Sequence, residues 1–230
     1  MKIAIIPARG GSKRIPRKNI KDFCGKPIIA YSIEAAKQSQ LFDHIIVSTD
    51  DPEIAQVAVG LGADVPFLRP MELSDDYTGT NAVIKHAIQW FNNQGGVVQY
   101  ACCIYATAPF INSDYLCSAF EALLTSNASF VFSVTSFPFP IQRAIRINKV
   151  GRVEAFYPEY ISSRSQDLEE AYHDAGQFSW GRAEAFLNDT VPFSQASIPI
   201  VLPRYLVQDI DTLEDWTRAE LMHKAWHLGE

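Results

Sequence analysis

The chain has 230 residues, 47% apolar and 20% charged, which suits one globular α/β domain and excludes collagen, coiled coil and wholesale disorder. Its formal net charge of −6, from 26 acidic and 20 basic residues, argues against a surface that grips nucleic acid along its length. The charge is unevenly spread, because Arg9, Lys13, Arg14, Arg17, Lys18 and Lys21 fall in one window that contains no acid.

Lys2 to Ile6 predicts a short strand, followed by a Gly-rich basic loop and an amphipathic helix from Pro27 to Gln38, with Ile28, Ile29, Tyr31, Ile33 and Ala36 near helical spacing. His44 to Val47 predicts a second strand ending in Ser48-Thr49-Asp50. Asp51 and Pro52 then open a helix over Glu53 to Leu61, which Gly62 closes. A third strand is expected at Val65 to Leu68, a helix at Thr80 to Asn93, and a wholly apolar strand of the buried parallel kind at Gln99 to Tyr105. Ser113 to Thr125 and Ser129 to Val134 add a helix and a strand. This alternation predicts a doubly wound sheet with its sites at the C-terminal ends of the strands.

The rhythm lapses from Phe137 to about His173, where a Pro-rich start, a strand-like stretch (Ala144 to Val153) and a polar run (Ser162 to Glu170) follow one another. That is too long for a simple loop, so residues 1–230 are read as one domain carrying a β-hairpin arm with its own helix, used for dimerisation. Strand and helix resume at Phe178 to Trp180, Gly181 to Leu187, Ile198 to Leu202 and Thr212 to about His227. The first apolar stretch is too short for a signal peptide and no run reaches the length of a membrane helix. Cys24, Cys102, Cys103 and Cys117 lack zinc or redox spacing. A cytoplasmic protein with free thiols, and with neither nucleic acid nor membrane as partner, is expected.

The first strand runs into Ala8-Arg9-Gly10-Gly11-Ser12-Lys13-Arg14-Ile15-Pro16-Arg17-Lys18-Asn19. Two glycines after a strand allow unusual φ values and let backbone N–H groups close around an anion, while the cations neutralise phosphate. The spacing matches neither the P-loop nor the dinucleotide G-x-G-x-x-G. A second constellation is Gln208-Asp209-Ile210-Asp211-Thr212. In an extended segment Asp209 and Asp211 project to one side and suit Mg²⁺; alternatively, Asp211 is the N-cap of the last helix.

These motifs, together with Ile-Ile-Val-Ser-Thr-Asp at Ile45 to Asp50 and Leu-Arg-Pro at Leu68 to Pro70, closely resemble the acylneuraminate (CMP-sialic acid) cytidylyltransferase family, in matching order over essentially the whole chain. The resemblance implies a mixed, mostly parallel sheet of the nucleotide-diphospho-sugar transferase type, Rossmann-like, and a homodimer whose inserted arm reaches over the partner's site. It implies attack by the anomeric hydroxyl of a nine-carbon 2-keto acid sugar on the α-phosphorus of CTP, giving CMP-sugar and pyrophosphate. Arg9, Lys13 and Lys18 match positions that handle triphosphate, within a nucleotide-binding loop that includes Ala8, Gly10, Gly11, Ser12 and Asn19. Arg69 and the turn Thr78-Gly79-Thr80 match the region that holds cytosine and ribose, and Asp209 and Asp211 match the ligands of Mg²⁺.

The sugar region departs from the sialic acid pattern. Tyr105-Ala106-Thr107-Ala108-Pro109 stands where Gln-Pro-Thr-Ser-Pro is typical, and Asp174-Ala175-Gly176-Gln177-Phe178-Ser179-Trp180 stands in the region of Pro-Asn-Gly-Ala. A phenol replacing an amide and Ala175 replacing Asn remove polar partners, so a less hydroxylated sugar is expected. The segment Tyr172 to Phe178 resembles the pseudaminic acid branch, whose substrate is a dideoxy, bis-acylamino relative of sialic acid. Tyr105, His173, Gly176 and Gln177 are the candidate sugar contacts, with Arg164 of the arm reaching a sugar carboxylate across a dimer. His86, Trp216 and Trp226 read as boundary or packing residues.

Overall fold

A computed structural model describes residues 1–228. Strand β1 (Lys2–Pro7) leads through the basic loop to a small hairpin, β2 (Asp22–Phe23) and β3 (Lys26–Pro27), and to helix α1 (Ile29–Ser39). Next come β4 (His44–Ser48), α2 (Pro52–Gly60), α3 (Thr80–Asn93), β5 (Tyr100–Ile104), α4 (Ser113–Thr125) and β6 (Phe130–Ser136). A separate hairpin, β7 (Ile145–Ile147) and β8 (Val153–Ala155), precedes β9 (Tyr172–Arg182), α5 (Ala183–Leu187), β10 (Ser197–Val201) and α6 (Leu213–His227).

The main sheet has the order β10-β6-β9-β5-β1-β4. Five strands run parallel and β9 alone runs against both of its neighbours, β5 and β6. The mostly parallel α/β sheet expected from the alternation is therefore present. Ile3, Ala4, Ile5 and Ile6 are fully buried, because helices cover both faces of β1. On one face Ile33 of α1, Ile54 of α2 and Leu116 of α4 pack against Ala4, Ile6, Val47 and Ile104. On the other, Ile84 and Ile88 of α3 and Phe186 of α5 cover Ile3, Ile5, Ile46 and Cys103. A third cluster, under α6, joins Ile15, Phe23, Phe110, Ile210 and Trp216.

Local chemistry sets the element ends. Asp51 caps α2 by accepting the N–H groups of Glu53 (2.9 Å) and Ile54 (3.0 Å), Pro52 occupies the first turn, and Gly62 leaves the helix at φ +84°. The strand expected at Val65 to Leu68 does not form. Pro66 has no N–H to give, and the segment keeps only isolated bridges from Asp64 to Ile46 and from Leu68 to Thr49.

The expected hairpin is present as β7 and β8, and the helical content expected of the segment between β6 and β9 takes the form of three 3₁₀ turns (Ile141–Arg143, Pro158–Tyr160 and Ser165–Asp167). It leaves Phe139, Ile147 and Val150 more than three-quarters exposed. It ends where β9 begins at Tyr172, so His173 belongs to the sheet. No helix among the described residues is long and apolar enough to cross a membrane.

Candidate active site

The third hydrophobic cluster brings two distant segments together. Ile15 in the basic loop and Ile210 between the two aspartates are each 1% exposed, buried against the same side chains. Anchored this way, the loop's cations face the Asp209–Asp211 segment: Lys18 Nζ donates to the Ile210 carbonyl (2.6 Å), and Arg14 pairs with Asp211 (2.7 Å). Lys18 Nζ also lies 3.7 Å from the Asp211 carboxylate. Asp211 is not the cap of α6. Thr212 caps it, accepting the Asp215 N–H (3.2 Å), while the Asp215 carboxylate accepts the N–H groups of Thr212 (2.8 Å) and Asp211 (3.1 Å). The Asp211 side chain is thereby left to the basic loop.

Between them lies a cavity of about 330 Å³ at the C-terminal ends of β1 and β5. Ten of the residues singled out in the sequence line it: Arg9, Ser12, Lys13, Lys18, Asn19, Arg69, Thr78, Thr80, Tyr105 and Asp211. Asn19 is held by donating its amide to the Arg9 carbonyl (2.9 Å). Arg69 is 6% exposed, its N–H donates to the Thr49 carbonyl (2.7 Å), and its guanidinium reaches Asp50 only at 4.0 Å. Nε and Nη2 of Arg69 are buried with no hydrogen-bond partner in the protein. Burial pulls its pKa below the ordinary arginine value. A buried cation with two unsatisfied donors facing a cavity calls for a ligand acceptor.

Arg9 and Lys13 are held by turn acids that the sequence does not mark. Arg9 pairs with Asp76 (2.9 Å) and donates to the Asp75 carbonyl (2.5 Å), and Lys13 pairs with Asp76. The hydrogen bond from Lys13 holds the Asp76 carboxyl below the usual carboxylate range. Asp75 shapes this turn by accepting from the Thr78 hydroxyl (2.7 Å) and from the N–H groups of Thr78 (2.7 Å) and Tyr77 (2.9 Å). Arg17 joins Asp51 and Glu53 at the start of α2 and lies outside the cavity lining.

The loop backbone departs from the expected anion cradle. Neither Gly10 nor Gly11 has a positive φ, and the Gly10 N–H is spent on the Asp50 carboxylate (2.9 Å). Gly10 is required for packing instead, since a Cβ there would stand 2.6 Å from Asp51 Oδ2, whereas one at Gly11 would meet nothing within 4 Å. Ala8 is a core residue with no exposure, its N–H donating to the Ser48 carbonyl (2.9 Å). Of the two glycines, Gly10 is thus committed to Asp50 and Asp51, and the charge of the loop is carried by its side chains.

Tyr105 also lines an adjoining apolar cavity of about 320 Å³ with Ile84, Cys103, Phe132, Phe178 and Phe193. Burial pushes the Tyr105 phenol up, so it stays protonated. Asp174 borders both this cavity and a groove of about 580 Å³ that contains His173, Arg204, Asp209 and Arg218. The Asp174 carboxyl keeps an open outer edge yet is recessed; desolvation first, then the Asp209 charge, raises its pKa. Asp209 thus lines the groove and Asp211 the 330 Å³ cavity, rather than both facing one point.

The remaining predicted sugar contacts divide. His173 lines the groove, packed edge-on to Phe137 (4.7 Å). Gly176, at φ +63°, gives its N–H to Asp174 (2.8 Å) in the irregular stretch of β9 and so positions that carboxylate. Gln177 is 3% exposed and donates to the Leu206 carbonyl (2.5 Å), which makes it a tether of the 204–206 turn. Arg164 is engaged bidentately by Asp167 within the arm (2.7 and 3.0 Å).

No group of three or more His, Cys, Asp or Glu among the described residues forms a metal cage. The candidate donors are Asp211, which lines the cationic cavity, and Asp209, which lines the adjoining groove and takes no hydrogen bond or ion pair through its side chain among the described residues. That set fits Mg²⁺, which is commonly held by one or two carboxylates, with substrate oxygens and water completing its shell.

Residues 3–200 match the cytidylyltransferase family. A pseudaminic acid cytidylyltransferase of Campylobacter jejuni is 48% identical over 98% of this chain and 97% of its own length. An N-acylneuraminate cytidylyltransferase of Escherichia coli is 31% identical over 94% of this chain and 51% of its own length. Among solved structures, a CMP:2-keto-3-deoxy-manno-octonic acid synthetase complexed with CTP superposes with a TM-score of 0.70 over 97% of this chain and 98% of that one, at 15% identity. The chain belongs to the cytidylyltransferase family.

Proposed function

We propose that this cytidylyltransferase joins CTP to pseudaminic acid, forming the CMP-sugar and pyrophosphate for surface glycan or flagellin glycosylation. The observation that carries the nucleotide half is the convergence of Arg9, Lys13, Arg14, Lys18 and Arg69, whose Nε and Nη2 lack hydrogen-bond partners, on one cavity. The anomeric hydroxyl oxygen bonds to the α-phosphorus, the bond to the pyrophosphate oxygen breaks, and the hydroxyl proton is released. Charge builds on phosphoryl oxygens and on the leaving group, so positioned cations supply most of the catalysis. Arg9 and Lys13 leave Asp76 to take the phosphates, while Lys18, tied to the Ile210 carbonyl, holds the loop against the aspartate segment. Arg69 presents Nε and Nη2 to the nucleoside. Mg²⁺ held by Asp209 and Asp211 would supply Lewis-acid stabilisation of the phosphate oxygens.

The sugar assignment is supported by the 48% identity to the Campylobacter protein and by the apolar lining of the cavity beside Tyr105, which suits a sugar with few hydroxyls. A homodimer through residues 137–171 is supported by the exposed Phe139, Ile147 and Val150, since such an apolar surface favours burial against a second chain. A cytosolic location accords with four cysteines that form no disulfide. Pyrophosphate release from CTP and Mg²⁺, measured over a panel of 2-keto acid sugars, tests the reading. Release with pseudaminic acid is expected. Release only with N-acetylneuraminic, legionaminic or octulosonic acid would overturn the sugar assignment, and release with none would make the chain a silent nucleotide-binding module.

A further inference from the structure

The groove of about 580 Å³ beside the nucleotide cavity contains two exposed arginines, neither of which lines that cavity. Arg204 opens the short turn after β10, which Pro203 starts and the buried Leu206 and the Gln177 bond pin in place. Arg218 projects from α6, one turn before Met222, which lines the same groove. Neither guanidinium makes a hydrogen bond or ion pair among the described residues, whereas Arg9, Arg14, Arg17, Arg146 and Arg164 all have carboxylate partners. Asp215 is coupled electrostatically to Arg218, but its carboxylate is committed to the α6 cap. Arg164, expected to reach a sugar carboxylate, is occupied by Asp167. The other ionisable groups of the groove are His173, Asp174, Tyr205 and Asp209.

We propose that Arg204 and Arg218 bind the carboxylate of the 2-keto acid sugar and thereby position its anomeric hydroxyl. The assignment rests on the acceptor being a sugar of that class. In the cyclic form of such a sugar, the carboxylate and the reacting hydroxyl share one carbon, so whatever fixes the carboxylate fixes the nucleophile within one bond. Guanidinium groups suit this task because their planar donors pair with both oxygens of a carboxylate. Asp209 and Asp174 share the groove, and like-charge repulsion directs the carboxylate toward the arginines while the hydroxyl, which can donate, is free to face the acids. Arg204 and Arg218 are positioning residues, distinct from the cations around the phosphates.

Titration calorimetry of the free sugar into the CMP-saturated protein, without turnover, tests this with Arg204→Met and Arg218→Met. Each substitution is expected to weaken sugar binding about tenfold to hundredfold, the range for losing a charge-assisted hydrogen bond, with CTP binding unchanged. The methyl ester of the sugar removes the carboxylate charge and is expected to bind wild type and variants alike. Arg204→Lys should recover part of the loss. Unchanged binding of the acid by both variants, or equal losses for acid and ester, overturns the assignment. Pyrophosphate release is read separately: arginine-dependent binding of the acid without release with any sugar would refute the proposed reaction and leave the carboxylate site standing, and release with arginine-independent binding would do the reverse.

Discussion

Arg69→Met should make the empty protein more stable and the nucleotide site much weaker. Arg69 is 6% exposed, Nε and Nη2 lack partners, and its one carboxylate neighbour, Asp50, is 4.0 Å away and already accepts the Gly10 N–H. A buried unsatisfied donor costs about 1–3 kcal/mol, and Met keeps the volume and flexibility of the stem without the donors. With the loss of the weak Asp50 attraction set against this, a net gain of about 1–2 kcal/mol is expected. For a chain of this size that is a rise of roughly 2–8 °C in the unfolding midpoint. Hydrogen bonds to charged groups contribute about 1.5–3 kcal/mol each, so CTP binding should weaken by about tenfold to hundredfold. Differential scanning calorimetry gives the first quantity and titration calorimetry with CTP the second. A lowered midpoint together with unchanged CTP affinity would refute the reasoning, because Arg69 would then be a structural ion-pair residue with no ligand of its own.

Other outcomes follow from the same geometry. Asp76→Asn removes the carboxylate that Arg9 and Lys13 hold, so CTP should bind about twofold to fivefold more tightly at low salt, with the gain fading as salt rises; weaker binding measured by titration would contradict competition. Asp211→Ala should abolish pyrophosphate release with the far-ultraviolet circular dichroism preserved, since Thr212 and Asp215 cap α6 without its side chain. Arg17 and two backbone N–H groups hold Asp51 at a pKa of about 2 against 3.8 unfolded. Its contribution is present above about pH 4 and is lost as pH falls toward 2. Asp51→Asn should therefore cost about 1–2 kcal/mol in denaturant unfolding at pH 7 and almost nothing near pH 2. Ile147→Glu, on the exposed hairpin, should shift sedimentation from dimer to monomer.

The helices Thr80–Asn93 and Ser113–Thr125 were legible to the residue from their apolar spacing, reinforced at the second by a cap, Asn112 accepting the Asp114 N–H (2.7 Å). β9 was legible only at its Phe178 to Trp180 core. Upstream, Asp174 and Gly176 interrupt the apolar run where the strand bends to place a carboxylate, so local pattern and tertiary role conflict there. The basic loop carries its phosphate signal in side-chain type, whereas the packing role of Gly10 is hidden in the sequence, because the closeness of Asp50 and Asp51 to it is a tertiary fact. Asp75 and Asp76 look like ordinary turn acids in sequence and acquire meaning only when Arg9 and Lys13 fold onto them. Arg204 and Arg218 are isolated cations, and nothing in their spacing shows that they share a groove.

β6 and β9 are neighbours in the sheet, and Ser136 lies directly opposite Tyr172. The exposed hairpin is therefore a closed loop hung from two paired strands, whose ends stay together whatever lies between them. Its length and composition can drift with little cost to the sheet, since loop-closure entropy grows only slowly with length. Under the proposed pairing through this loop, assembly and nucleotide binding would be separately inherited properties of the chain. A tight turn in place of residues 137–171 should yield a shortened protein that still holds CTP and, if the proposed pairing holds, sediments as a monomer.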